Sequence, residues 1–419
     1  MKICFVSGFP PSKVVLNEYG YHVANELQAD PLVSLAVLGD ELDVSEPELP
    51  DFHVERVWKM NRFTNHSRLL KTIRQLRPDV VWFNLLFSSF GNKDNAVAAF
   101  SGLTLPATTR MAGYYTHVTL HHLMEHIDLG DAGVRAKTLF RIAGYVATRM
   151  VLMANSVSVL LPAYRRTLID KYRGDNIHFR AHGILSARPE YPDFSQRGNP
   201  IHRILAFGKW GTYKRCEMLI EAFEQEILPN LPNSRLVIAG ANNPNAPGYI
   251  ESLQKQYQDN PNIEFTGYVA EEDISAVFGP ASVLVLPYTS ATGASGVAHL
   301  AAQYGVPIVS SDIADFREMC ENEGLAIKFF PIGNKSAMAK KILALLESPE
   351  EQHVLSEQNF SAALRMTMPQ IIRQYVRAFD LQQRARALEA ISRFRRLPSW
   401  IPSRSTIFRA STPRWGAWV

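Results

Sequence analysis

The sequence predicts two doubly wound α/β domains in series, facing one another across a cleft. Three observations predict this. The chain has 419 residues, more than one ordinary domain and close to two of about 200. Short apolar runs alternate with helical stretches through both halves, the pattern of βαβ crossovers and a mainly parallel sheet. A Pro-, Ser- and Gly-rich stretch without periodicity, "ILSARPEYPDFSQRGNP" at 184–200, breaks the alternation near mid-chain. The expected division is therefore 1–184, a linker at 185–200, a second domain at 201–365, and C-terminal helices with a basic tail at 366–419.

The elements follow in order. "KICFVSG" is a first strand, closed by Pro10-Pro11, with a helix from about Asn17 to Leu27 after its loop. "VSLAVLG" is a second strand. "RLLKTIRQLRPDVVWFN" is a helix stopped near Pro78, then a strand at Val80–Phe83. "LPATTRMA" and "VSVLLP" read as further strands, and Ile142 to Pro162 as a buried helix followed by a buried strand, since Arg149 and Asn155 interrupt it too early for a membrane span. Beyond the linker, "RILAFG", "SRLVIAG", "IEFTG", "SVLVLPY" and "AIKFF" are strands. They alternate with helices such as "CEMLIEAFEQEI", "YIESLQKQYQ" and "KSAMAKKILALLES". In doubly wound sheets ligands sit beyond the carboxyl ends of the strands, so the expected site is the cleft between the domains.

Composition narrows the function. With 46% hydrophobic and 20% charged residues the chain is globular. Its net charge is +4, but residues 382–419 hold eight Arg against one Glu, which leaves the body at −3. The basic character belongs to the tail, so no nucleic-acid groove is expected in the body. Cys4, Cys216 and Cys320 are far apart and lack metal spacing, as expected of a reducing, cytoplasmic compartment. "MKICFVSGFPPS" is too short in its apolar core for a signal peptide. Neither a G-x-x-x-x-G-K-[ST] loop nor a G-x-G-x-x-G after a strand is present, so a nicotinamide cofactor is not expected.

Four stretches could carry chemistry. In "ILAFGKWGTYKRCEMLIEAF" a strand ends at Gly208, and Lys209 and Lys214 lie in the loop and at its exit, before a helix. Two cations beside a helix N-terminus suit a diphosphate; the competing reading is a pair of solvated lysines. In "YTSATGASGVAHLAAQYGVPIVSSD" the small residues Thr292, Gly293, Ala294, Ser295 and Gly296 sit between a strand and a helix. They allow close backbone approach and add hydroxyls, or simply make a turn. Asp315 and Glu318 are the carboxylates after it that could meet a ligand hydroxyl. Tyr19 and Gly20 stand where the first loop enters its helix. In "RMAGYYTHVTLHHLMEH" the pairs His117/His121 and His122/His126 have helical i, i+4 spacing, but without H-E-x-x-H or Cys a metal site is not expected. Arg110 and His117 remain candidates for hydrogen bonds to sugar or phosphate. His182-Gly183 reads as a turn at the end of the first domain.

The tail is the last feature. Leu381, Ala385, Leu388, Ile391 and Phe394 recur on one helix face, with arginines around them and Trp400, Trp415 and Trp418 beyond. That composition suits the surface of an anionic membrane, contacted peripherally through 382–419; the alternative is a helix packed on the body.

These motifs resemble the GT-B glycosyltransferases of the family-4, retaining type, best over Arg203–Glu347 and more loosely over the first 185 residues. "GKWGTYKRCEMLIEAF" is similar to the family's G-R-L-x-x-x-K-G…L-I-x-A-F, with Lys209 at the arginine and Lys214 at the lysine that hold the donor diphosphate. "NEYGYHVANEL" resembles the first loop near the acceptor, and "FRAHGI" the N-G-[VI] turn, with His182 at the asparagine. The departure lies in E-G-F-G-x-x-x-x-E-A-x-A-x-G-x-P. Aligned on Gly305 and Pro307, it puts Thr292 and Leu300 where the family has glutamates near the donor sugar and the ribose. His299 could replace the second only on a helix turned by about 100°.

The resemblance implies a retaining, metal-independent hexosyltransferase with a nucleoside-diphosphate sugar as co-substrate and no cofactor. The acceptor would be a saccharide, a lipid or a small molecule. A GT-B binding subunit that has lost catalysis, or a phosphorylase on the same fold, are the rivals.

Overall fold

The computed structural model describes residues 1–12, 14–42, 52–91, 95–126, 137–193, 201–243, 246–290 and 293–394. The chain forms two compact units, Met1–Ile372 and Arg373–Val419. The first unit holds two parallel sheets.

The first sheet comprises β1 (Lys2–Val6), β2 (Ser34–Asp40), β3 (Val54–Trp58), β4 (Val80–Leu85), β5 (Tyr115–Leu120), β6 (Ser156–Val159) and β7 (Ile177–Phe179). Its order is β3-β2-β1-β4-β5-β6-β7. The connections carry helices α1 (Asn17–Ala29), α2 (Asn65–Leu76), α3 (Ala96–Leu103), α4 (Leu105–Met111), α5 (Lys137–Leu152) and α6 (Pro162–Tyr172). The second sheet runs β10-β9-β8-β11-β12-β13. Its strands are β8 (Arg203–Phe207), β9 (Arg235–Ala239), β10 (Ile263–Gly267), β11 (Val283–Leu286), β12 (Ile308–Ser311) and β13 (Ile327–Phe330). Helices α7 (Glu217–Ala222), α8 (Tyr249–Gln256), α9 (Ile274–Phe278), α10 (Gly296–Gln303), α11 (Ala314–Glu323), α12 (Lys335–Leu346) and α13 (Pro349–Arg365) cover it, and α14 (Met368–Phe394) follows.

Strands such as VVWFNL (β4) and VLVL (β11) are buried at every position, as crossover helices on a parallel sheet require. In the second sheet Ile204, Leu236, Ile238, Val283 and Val309 build a core with Leu219, Phe223 and Ile342. Strand order reverses between β1 and β4, and again between β8 and β11. Ligands bind at such switch points, and three of the loops singled out above leave β1, β8 and β11.

The chain passes between the sheets at 180–186, and the link from α13 to α14 returns beside it. Ile184 N–H donates to Met366 O at 2.9 Å, and Ile184 bridges Thr367. The expected linker is described only as far as 193.

Three expectations are corrected. Leu105–Met111 is helix α4, not a strand. Pro106 lies in its first turn, where no intrahelical N–H is needed, and the Thr108 hydroxyl is satisfied inside the helix by Thr104 O and Leu105 O. Tyr115–Leu120 is strand β5, buried throughout, so His117 and His121 share no helix face. Its Tyr, Thr and Val side chains suit a pleated, buried surface. Finally, α5 is not a buried helix: Leu139 and Ile142 are 65% and 58% exposed, and Tyr145 and Val146 are exposed beside them.

Candidate active site

The loop leaving β8 folds back on itself. Gly211 N–H donates to Lys214 O at 2.8 Å, and Lys214 N–H to Gly211 O at 3.1 Å. Lys214 then bridges Tyr288 in the loop leaving β11, and Thr289 N–H donates to Tyr213 O at 3.0 Å. The two switch-point loops of the second sheet are thereby stitched together. The Lys214 ammonium rests 4.7 Å from the Tyr288 ring centroid and against Gly208. Burial, and secondarily the charge of Lys209, push its pKa down to about 8. Lys209 is exposed. Among the described residues no carboxylate pairs with either lysine. Two neighbouring cations without a counter-charge favour an incoming anion, whose charge would restore the Lys214 proton. The helix expected to assist is short, and the Cys216 N–H at its start is already taken by the Tyr249 hydroxyl at 2.8 Å.

The loop before α10 is held from several sides. Gly293 has φ +85°, and a Cβ there would lie 2.8 Å from His121 O at the end of β5. Its N–H donates to Asp315 Oδ2 at 2.8 Å, and the same oxygen accepts from the Tyr164 hydroxyl of α6 at 3.3 Å. Ser295 caps α10, its Oγ accepting from Ala298 N–H at 3.3 Å. Ala294 is half-buried, and Gly296 lies against the His182 ring. Thr292 lies outside the described residues.

His299 is fully committed. Its Nδ1 meets Ser295 O at 2.8 Å and its Nε2 meets Glu323 Oε2 at 2.9 Å. Burial alone would lower its pKa, but Glu323 and the Ser295 carbonyl reverse this, and the net direction is upward. Both ring nitrogens of His299 are thus occupied within the chain. The neighbouring position, Leu300, is half-buried.

A row of rings lines the junction with the first sheet. His182 stacks on His299 at 4.9 Å, Tyr19 packs against His182 at 4.8 Å, and His121 meets the edge of Tyr19 at 4.7 Å. His182 Nδ1 donates to Gly183 O at 2.8 Å, and burial with the nearby His299 pushes its pKa down to about 3. His121 Nε2 bonds Asn84 Oδ1 at 2.6 Å, and Asn84 Nδ2 donates to Ser7 Oγ at 3.0 Å. Burial holds His121 neutral, well below the usual histidine range. Gly20 closes the loop after β1: a Cβ there would come within 2.6 Å of Ser7 Oγ and Gly8 O.

The fold therefore gathers Tyr19, Gly20, Gly208, Lys214 and residues 293–296 around one junction. Two acceptor candidates lie elsewhere. His117 is buried inside β5 with its Nδ1 on Ser156 Oγ at 2.7 Å, and Arg110 donates to Met153 O at 2.8 Å. Glu318 is ion-paired with Arg166 of α6. Asn84, Tyr164 and Tyr288 carry no signal in the sequence, and His121 stands out there only as half of a helically spaced histidine pair. With Tyr115–Leu120 as a strand, His121 is the first residue beyond its carboxyl end. Among the described residues no cluster of His, Cys, Asp and Glu is arranged to hold a metal ion.

Comparison with known proteins gives these features a context. Residues 201–348 match the family described as Glycosyl transferases group 1. No curated protein matches in sequence. Among solved structures, sucrose-phosphate synthase from Thermosynechococcus elongatus superposes with a TM-score of 0.71 at 16% identity, covering 92% of this chain and 99% of that one. Anabaena HepE in complex with UDP-glucose superposes at 0.65 and 16% identity, covering 91% and 99%. WaaG, a glycosyltransferase involved in lipopolysaccharide biosynthesis, does so at 0.61 and 14%, covering 90% and 99%. At such identities the likeness is one of fold, and that fold is GT-B.

Proposed function

We propose that this GT-B chain, whose residues 201–348 match the Glycosyl transferases group 1 family, moves a hexose from a nucleoside-diphosphate sugar to an acceptor, with retention and without a metal. The observation carrying this reading is Lys214, a cation pushed toward neutrality beside Lys209 and facing no carboxylate among the described residues. The leaving group is a diphosphate, so the chief catalytic task is stabilising developing negative charge. Lys214 and Lys209 supply that electrostatically. The loop at 293–296 offers close backbone approach to the donor, and closure of the cleft excludes water. The leaving phosphate would take the acceptor's proton; His121 and His182, both neutral, neighbour Tyr19 on the acceptor side. HepE binds UDP-glucose, so UDP-hexoses are the first donors to test.

The acceptor is a saccharide or a lipid. A lipid acceptor suits the tail, whose apolar positions Leu381 and Leu388 are exposed on α14. On this reading the enzyme is cytoplasmic and touches the inner face of the membrane through 382–419; residues 395–419 lie outside the described ones. Thr292 and Leu300, standing where the resemblance expects glutamates, favour a second reading: a binding subunit without catalysis. A phosphorylase using free phosphate is the third.

Thermal-shift titration with UDP, GDP and ADP, alone and as sugar conjugates, separates them. Stabilisation by one nucleotide sugar, its slow hydrolysis, and loss of both in Lys214→Ala are expected. Stabilisation without turnover supports the binding subunit, and no response to any nucleotide ends the transferase reading.

A further inference from the structure

Helices α2, α3, α4 and α5 form one layer on the first sheet: α3 packs on α2, α4 and α5, and α4 on α2 and α5. Their sequences contain seven Lys or Arg and no Asp or Glu. Of the six whose side chains are described, only Arg68 is ion-paired, with Glu41. The body of the chain is acidic overall, so a layer without a single carboxylate is a segregated charge, not a reflection of composition.

The same layer exposes apolar side chains in an ordered way. Leu139, Ile142 and Val146 of α5 are exposed and follow one another at steps of three and four, a single helix stripe. Met153 continues the line past the helix end, and Arg110 holds it there by donating to Met153 O. Met111, next to that arginine, is 76% exposed. One flank of the stripe is cationic: Arg141 and Arg149 stand in one row with Tyr145, at steps of four, and Arg149 donates to the Tyr145 hydroxyl at 2.8 Å and lies over its ring. Val97 of α3 is exposed too.

Exposed apolar groups in register with unpaired arginines and an aromatic ring are what a helix lying in a lipid headgroup layer presents. A protein partner or a second copy must bring its own carboxylates to meet these arginines, whereas an anionic bilayer supplies the apolar phase and the counter-charge together. We infer that the outer face of α4 and α5 docks on an anionic lipid surface. The contact is peripheral, since no helix among the described residues is long and apolar enough to cross a membrane. In a parallel sheet the crossover helix runs opposite to the strands. The Leu139 end of the stripe therefore lies at the carboxyl edge, where the junction of the two sheets opens, and the Met153 end at the far edge. The helix would lay the rim of the site against the bilayer. This inference does not depend on the transferase reading or on the tail.

The test uses the full chain and vesicles of phosphatidylcholine with or without phosphatidylglycerol. Sedimentation only with the anionic vesicles, weakened by salt, is expected. Arg141→Glu/Arg149→Glu should weaken partitioning by about tenfold or more, and so should Ile142→Ser/Val146→Ser; all four positions are exposed, so folding is preserved. A Val146→Trp reporter should shift its emission to the blue on anionic vesicles. Arg384→Glu/Arg386→Glu in α14 should leave that shift in place. Three results would overturn the proposal: no binding to anionic vesicles, binding unaffected by both α5 double variants, or an Ile142→Ser/Val146→Ser change that turns a dimer into a monomer without altering lipid binding.

Discussion

Lys214 holds its proton against two opposing influences, its own burial and the charge on Lys209. With a free-state pKa of about 8, it is mostly protonated at pH 7 and mostly neutral at pH 9. A bound diphosphate raises that pKa, so the proton lost above pH 8 must be regained on binding. The sign follows: affinity for a nucleoside diphosphate falls as pH rises. Calorimetric Kd values for UDP should weaken by about tenfold from pH 7 to 9. Lys209→Ala should move the midpoint to higher pH while weakening binding at neutral pH. A flat profile would remove Lys214 from the contact. The lysine pair could be read from sequence because both members lie in one short loop. The ring beneath Lys214 could not, because Tyr288 reaches it only through a bridge between two distant loops. The surroundings of Arg110 and His117 are hidden in the sequence for a related reason. Their polarity suggested a ligand, while their partners, Met153 O and Ser156 Oγ, lie on elements far along the chain.

At the level of elements, the loop into α10 depends on Gly293. Its positive φ and the nearness of His121 O leave no room for a Cβ. Gly293→Ala should lower stability by about 1–3 kcal/mol and weaken donor binding, because the loop must retreat from β5 and lose its bond to Asp315. Urea melts and a donor titration check both effects; an alanine variant matching wild type in both would mean the loop is slack. Parallel strands were legible because both faces are buried and each reads as an unbroken apolar run. Recognition failed where that signal is weak. The seven residues of α4 span about two turns, too few for a period, and β5 carries histidines whose spacing imitates a helix. The exposure of α5 was hidden too, since an apolar stripe looks the same in sequence whether it faces a core or a lipid.

Across the whole molecule, contacts between the sheets come from both sides of their junction. His22 of α1 meets Glu271 at 3.0 Å, Arg166 of α6 pairs with Glu318, and Tyr164 shares Asp315 with the loop before α10. None of these pairs was legible, because each joins residues from different domains. The segments at Ile184 and Met366 add backbone pairing beside them. That pairing bears on what happens when the covalent thread is severed. Glu190 is exposed in the link between the sheets, so a glutamate-specific protease should nick there. Fragments 1–190 and 191–419 would still share the Ile184–Met366 hydrogen bond, the His182–His299 stack and the Tyr164–Asp315 contact. They are expected to co-elute at the mass of the intact chain in gel filtration and to part only in denaturant. Separation in plain buffer would mean that the peptide link, rather than these contacts, keeps the halves together. If they stay joined, the protein can be made as two polypeptides that assemble on mixing.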